Sequence, residues 1–397
     1  MLLFNKGKLE GYGIMNNQRW LAKNFFTFFL TWGVFLPYWT GWLINDKGLT
    51  VSEASIIMGF GLVARAISTM FIFPYVSKVL SNKRVLLFFT VASLIVTFLY
   101  IPVDSFEGLF IMTMLFSAFY PALLPAVESS ASTLMQQGDI HYGKARSLGS
   151  FGYVIAVLVI SMFTGVYGEQ VILWSMLLGL TALLAIQLMP APQVLTIPPL
   201  QEKSSKSLSM QGLFEVKSFF IVLIVVILLQ GAHASYYNYG YIYLQDLNVN
   251  PFYIGMILNV AVLFEILYFL KADTFLTKWK PSSLMLLAAI GSSVRWVAIF
   301  LFPSMTVFII TQALHALSFG VAHYAFIRYI TKALPKEQIP NAQGIYSALA
   351  MSLSAAVLTL LGGALYEIEP GLSFLGMAIC TVPAIFIILI TRNRFDY

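Results

Sequence analysis

Residues 191–216 read APQVLTIPPLQEKSSKSLSMQGLFEV. Proline, serine and lysine crowd this stretch, which is the composition of a solvated linker, and it is the one long interruption in a chain otherwise built of apolar runs. On its N-terminal side such runs lie at 20–44, 53–76, 84–103, 107–135, 145–167 and 170–190. On its C-terminal side six more lie at 217–244, 252–277, 282–302, 304–328, 342–366 and 371–391. Runs of about 20 apolar residues cross a hydrocarbon core of about 30 Å as helices. The expectation is an all-α polytopic membrane protein with twelve transmembrane helices. They form two six-helix halves, 1–190 and 217–397, joined by a cytoplasmic linker, 191–216.

Composition supports this plan and excludes others. The 397 residues include 23 Lys and Arg and 17 Asp and Glu, or 10% charged, against 59% apolar. A soluble chain of this length would carry about 100 charges. Twelve spans consume about 250 residues, so no sizeable extramembrane domain fits. The single cysteine, Cys380, cannot form an intrachain disulfide and lies within the last apolar run, where it reads as a packing residue. The first 19 residues, with Lys6, Lys8, Glu10 and Arg19, contain no apolar core ending in a small-residue cleavage site, so no removable signal peptide is expected. No HExxH, GxxxxGK[ST] or GxSxG pattern occurs, and no His is followed four residues on by an Asp. Neither an enzyme nor a cofactor or metal site is expected.

Placing the N-terminus in the cytoplasm puts nineteen of the 23 basic residues on that side, from Lys6, Lys8 and Arg19 to Arg392 and Arg394. Only Lys47 falls outside. Basic flanks stay cytoplasmic, so both termini are expected inside, with an even number of spans. This asymmetry accounts for the net charge of +6 without a nucleic-acid partner.

Three arginines remain inside apolar spans: Arg65 (GLVARAIST), Arg146 (GKARSLGSFGY) and Arg295 (GSSVRWVAI). Two acids remain likewise, Glu128 (PAVESSAS) and Glu265 (VLFEILYF). Each costs at least about 2.5 kcal/mol at a helix centre, so these groups face a polar cavity or one another. The competing reading is a set of static ion pairs that lock helices together. One positive charge is left over, which suits a monoanionic substrate. His233, His315 and His323 add possible proton carriers, of which His315 is the best placed.

In LLQGAHASYYNYGYIYLQ, Tyr236, Tyr237, Tyr239, Tyr241 and Tyr243 crowd beside His233 and Asn238. Some belong to an interfacial aromatic belt. The others, with Trp20, Trp32 and Trp39, offer an aromatic wall for a ring-bearing substrate. The small residues from Gly149 to Gly152 mark a close helix contact.

Two six-span halves around a basic linker resemble the major facilitator superfamily, which implies halves that expose a central site alternately. The superfamily's loop after the second span reads like GxxxDRxGRR. Here PYVSKVLSNKR keeps the basic end and has Ser77 near the expected acid. The run from Glu128 through YGKARSLGSFGY resembles the branch of lactose permease and the nucleoside symporters, where a fourth-span acid pairs with a fifth-span arginine. That resemblance implies Glu128 and Arg146 as a pair, with Ser150 and Tyr153 on substrate-facing turns. It also implies Arg295 and His315 as part of a proton relay, and Glu265 as the eighth-span acid displaced by a turn. The relay acid expected three residues after the histidine is Ser318 here. The stretches FLPYW, GLVAR, YGKARSLGS, LLQGAHASYYNYGYIY, VRW and LHALSFGVAHYAFIRYI are similar to those of the bacterial 3-phenylpropionic acid transporters.

The expected activity is therefore proton-coupled uptake of a small aromatic carboxylate across the bacterial inner membrane by a monomer. Arg146, positioned by Glu128, forks onto the carboxylate, and Tyr236, Tyr237 and Asn238 join Ser150 and Tyr153 around the substrate. Glu265 or His315, near Arg295, takes the proton, and Arg65 is a further intramembrane charge. The alternative is proton symport of a neutral nucleoside or disaccharide with the same Glu128–Arg146 pair.

Overall fold

The computed structural model describes residues 2–137, 140–198, 210–276, 278–335, 338–395 and 397, with side chains from residue 17 onward outside 210–211, 269–275 and 340. Part of the expected linker, residues 199–209 with Lys203 and Lys206, lies outside the described residues, as does Lys336. The same holds for the side chains of Lys6, Lys8 and Lys271.

Twelve long helices run through the described residues: α1 Leu2–Asn45, α2 Val51–Val79, α3 Asn82–Leu99, α4 Phe106–Gln136, α5 Tyr142–Tyr167 and α6 Gln170–Leu188, then α7 Lys217–Asp246, α8 Pro251–Phe275, α9 Pro281–Leu301, α10 Met305–Ala333, α11 Asn341–Ile368 and α12 Pro370–Thr391. All but α1 are long and apolar enough to cross a membrane. α1 is rich in aromatic and polar residues, among them Trp32, Pro37, Tyr38, Trp39 and Trp42, which lowers its hydropathy. Proline opens α8, α9 and α12, where a missing N–H costs nothing. Gly48, Gly168 and Asn248 take positive φ in the tight turns between successive helices.

Contacts divide the chain into two units. One holds residues 1–42 and 67–202, the other 43–66 and 203–397. The end of α1 and the first part of α2 thus pack with the later helices: Ser52 N–H donates to Glu367 Oε1 at 2.8 Å, and Tyr239 O–H donates to Ser55 Oγ at 2.8 Å. The boundary at residue 67 falls one residue before the π-helical turns Ser68–Ile72 of α2.

The first unit is organised around stacked aromatics. Trp39 lies parallel to Phe116 (ring centroids 5.6 Å apart, 8°), and Phe116 stacks on Tyr120 at 4.7 Å. Trp20 and Trp39 are buried in this core, so they are packing residues and not a substrate wall; Trp32 is half-buried. Buried phenols need partners at this depth, where no water competes. Tyr38 O–H donates to the Val157 carbonyl at 2.6 Å, Tyr100 to Thr113 at 2.7 Å, and Tyr120 shares a hydrogen bond with Thr31 at 2.8 Å. Lipid gives helices no hydrophobic drive to associate, so close packing of small residues supplies the attraction. Gly33 and Gly152 bring α1 and α5 together. A methyl group on Gly152 would sit 2.5 Å from the Phe26 carbonyl oxygen, and one on Gly33 would sit 2.7 Å from that of Tyr153.

The core of the second unit joins Phe219, Val222 and Val226 of α7 to Leu284 and Ala288 of α9, Phe326 and Ile330 of α10, Ala350 of α11 and Ile388 of α12. Three of its helices are irregular. α7 breaks at Ala232–His233, α10 widens into π-helix over Ala316–Val321, and α11 does so over Tyr346–Leu353. Such turns recur at functional sites.

Candidate functional site

Each unit contains one cluster of membrane-depth charge. In the first, Glu128 of α4 and Arg146 of α5 meet at 3.6 Å between Oε1 and Nε, with side chains 35% and 33% exposed. Tyr142, one turn before Arg146, donates its O–H to Glu128, with 3.1 and 2.9 Å to the two carboxylate oxygens. The guanidinium lies 4.0 Å from the Phe29 ring and 5.8 Å from Phe25. Its Nε and its face are thus engaged by the protein, and among the described residues Glu128 is the acid that pairs with it. Gly149 allows this arrangement, because a Cβ there would strike Phe29 at 2.6 Å. Ser150 and Tyr153 continue along α5 at half-buried positions.

The second cluster surrounds Arg295, whose side chain is fully buried. Its Nη2 donates to Gln312 Oε1 at 2.7 Å, and its Nη1 donates to His315 Nδ1 at 2.9 Å and reaches Ser318 Oγ at 3.5 Å. Its Nε has no hydrogen-bond partner. The rings of Tyr236 and Trp296 each lie 4.4 Å from the guanidinium carbon. No described carboxylate pairs with Arg295 directly; neutral acceptors and π faces hold the charge, and a desolvated cation–π contact contributes about 2 kcal/mol. Gln312 in turn donates to Tyr236 Oη and to the Ile257 carbonyl, both at 3.2 Å, which ties α10 to α7 and α8.

Local backbone geometry explains the convergence. In α10, Ala313 and Leu314 bond back three residues, to Ile310 and Thr311, just before the π turns begin. The tightened turn brings Gln312 and His315, three apart, onto one side, and the wider turns that follow align Phe319 under His315, with rings parallel to within 2°. In α7 the His233 N–H bonds to Gln230 O, which frees the Leu229 carbonyl. The His233 Nδ1–H takes up that carbonyl at 3.0 Å, repairing the break with a side chain. His233 Nε2 then accepts from the Ser318 hydroxyl at 3.0 Å.

The same logic assigns protons around His315. A guanidinium N–H only donates, so His315 Nδ1 is the acceptor and the ring proton resides on Nε2. That nitrogen faces Glu265 Oε2 at 3.6 Å. His315 is therefore a neutral bridge between the Arg295 cation and the Glu265 carboxylate, whose side chain is 26% exposed. A second ring proton would set an N–H against the Arg295 N–H.

Among the residues expected at a site, Glu128 and Arg146 come together in one unit. Glu265, Arg295, His315 and Tyr236 come together in the other, with the Tyr237 ring 6.2 Å from that of His315. Asn238 turns elsewhere, donating to Ala234 O at 2.9 Å and Thr359 Oγ1 at 3.0 Å, toward α11. Arg65 is half-buried on α2, three residues before its π turns. Gln312, Tyr142 and Phe29 were not expected from the sequence. Helical spacing was the available signal for two of them: Gln312 precedes His315 by three residues, and Tyr142 precedes Arg146 by four.

Known proteins place these clusters in context. The chain is 31% identical to the probable 3-phenylpropionic acid transporter of Escherichia coli, over 94% of this chain and 98% of that protein. It is 27% identical to the maltose permease of Geobacillus stearothermophilus, over 75% of this chain and 74% of that one. Its fold matches the crystal structure of the nucleoside transporter NupG with a TM-score of 0.78 at 18% identity, covering 96% of this chain and all of that one. These relatives are transporters and not enzymes. A family model described as the MFS_1 like family matches residues 18–375, and the chain belongs to that family, as a multi-pass membrane transporter with the major facilitator fold.

Proposed function

We propose that this protein carries a small aromatic carboxylate such as 3-phenylpropionate together with a proton. In this reading it is a monomer in the bacterial inner membrane, importing by alternating access with both termini cytoplasmic. The observation that carries the reading is the state of Arg146. Glu128 holds its Nε and Phe29 covers its face, which leaves the far edge of a guanidinium whose side chain is 33% exposed as the part a carboxylate can reach. A planar fork of that kind matches a carboxylate bidentately. Ser150 and Tyr153, half-buried further along α5, complete the substrate side of this reading. The similarity to the probable 3-phenylpropionic acid transporter supports the same substrate class.

Glu265 is the proton carrier in this reading, and His315 is not. With its Nδ1 committed to Arg295, His315 has no position for a further proton, whereas Glu265 is accessible and adjoins the His315 N–H. Protonation of Glu265 removes the carboxylate that faces the His315 N–H and leaves Arg295 without that counter-charge. Tyr236 and Tyr237 flank the His315 ring at 5.4 and 6.2 Å.

A second reading, symport of a neutral sugar or nucleoside, draws on the similarity to the maltose permease and on the Glu128–Arg146 pair, which offers an acceptor and a donor to a diol. Uptake of radiolabelled 3-phenylpropionate, uridine and maltose into proteoliposomes, with and without an imposed pH gradient, separates the two. Gradient-driven accumulation of 3-phenylpropionate alone is expected. Accumulation of maltose or uridine with no competition from 3-phenylpropionate sinks the carboxylate reading.

A further inference from the structure

The Arg295 cluster explains how a proton is held but provides no path away from it. Ser318, three residues beyond His315, donates its hydroxyl proton to His233 and has no acid proton to pass on. Another titratable group lies farther along the same face of α10. His323 follows His315 by eight residues, about 12 Å along the helix toward its Ala333 end. The Phe319 ring stacks between the two histidines, 5.5 Å from His315 at 2° and 6.4 Å from His323 at 6°. The π turns at Ala316–Val321 produce this alignment.

His323 is half-buried and bonds through Nδ1 to the Tyr346 phenol of α11 at 3.1 Å. Tyr346 is held in place by stacking on Phe326 at 4.3 Å. Among the described residues the His323 Nε2 makes no hydrogen bond. Glu265 of α8 faces the His315 end of this stack, with Oε2 3.6 Å from His315 Nε2. The other charged groups nearby are Arg295 of α9, which His315 occupies, and Arg328 of α10, which donates to the Leu276 and Trp279 carbonyls.

We infer that His323, with Tyr346, is the second proton station of this transporter, receiving the proton from Glu265 and releasing it toward the Ala333 end of α10. This rests on the proton-coupled reading of Glu265. In the step, the Glu265 carboxyl O–H breaks and His323 Nε2 binds the proton, while Nδ1–H donates to the Tyr346 oxygen. The imidazolium then loses the Nε2 proton to water, restoring neutral His323 and leaving Glu265 as a carboxylate. His323 thus takes the place of an acid relay next to His315.

Two measurements test this. In proteoliposomes, H323Q should keep one-for-one exchange of 3-phenylpropionate within about twofold of wild type, since exchange needs no net proton release, and should lose pH-gradient-driven accumulation about tenfold or more. Accumulation equal to wild type overturns the proposal. The second measurement needs neither substrate nor a His323 variant: nitrogen-15 NMR of histidine-labelled protein, wild type and E265Q, titrated between about pH 5 and 8. The His323 imidazole should titrate in wild type, with a midpoint that falls in E265Q. A silent ring, or the same midpoint in both proteins, overturns the proposal. If the wild type fails to move 3-phenylpropionate, the substrate reading falls and the titration alone decides the role of His323.

Discussion

Replacing Gly152 by Ala tests whether the α1–α5 contact sets the position of Arg146. The added methyl would lie 2.5 Å from the Phe26 carbonyl oxygen, and a methyl on Gly33 would lie 2.7 Å from that of Tyr153. Carbon and oxygen rest at about 3.3 Å, so α5 must withdraw from α1 by about 0.8 Å in the first case and about 0.6 Å in the second. A gap of that size forfeits roughly a quarter to a half of the dispersion attraction across the contact. Overpacking of this kind costs about 1–3 kcal/mol. One displacement relieves both collisions, so the double variant should cost little more than Gly152→Ala alone, and the two changes should couple strongly. Fluorescence-detected thermal unfolding in detergent gives the comparison. Each single variant should melt lower than wild type, with the double close to Gly152→Ala. Because α5 also carries Arg146, stacked at 4.0 Å on Phe29 of α1, uptake should fall alongside stability. If the double variant loses the sum of the two single losses, or the singles melt like wild type, the reasoning about this contact is wrong.

Three further outcomes are expected. Arg146→Lys keeps the charge and loses the fork; uptake of 3-phenylpropionate should drop at least about tenfold, the equivalent of one charged hydrogen bond at about 1.5–3 kcal/mol, while surface expression persists. Uptake at wild-type rate would remove Arg146 from the carboxylate contact. Glu265→Gln should abolish the response of uptake to an imposed pH gradient while leaving exchange intact, and a variant that still accumulates substrate against its gradient would show that the proton rides elsewhere. Gln312→Leu leaves Arg295 Nη2 without its acceptor and cuts the tie from α10 to Tyr236 and Ile257, and should destabilise the protein by about 1–3 kcal/mol, read as a lower melting temperature. An unchanged melting temperature would mean that water or another side chain replaces the amide.

Arg146 and Arg295 look alike in the sequence, each a lone cation in an apolar run. Their surroundings differ. Arg146 has an acid at ion-pair distance and a third of its side chain exposed, whereas Arg295 is sealed among a glutamine, a histidine and two aromatic rings. An ionised group at membrane depth announces itself because its cost is several kcal/mol. Gln312, Ser318 and Tyr142 cost far less and occur as ordinary residues of apolar spans, so nothing in the linear chain separates them from packing positions.

The helices were readable from one dimension because a bilayer imposes a length on every apolar run and a sidedness on every basic flank. The same constraint singled out Glu128, Arg146, Glu265 and Arg295. Which charges meet depended on three-dimensional facts with no counterpart in composition: the break in α7 at His233, the tight turn and π turns of α10, and the glycine contact between α1 and α5. These are small rotations about a helix axis. A few tens of degrees separate a side chain that faces lipid from one that faces Arg295, and only the packed helices fix that angle.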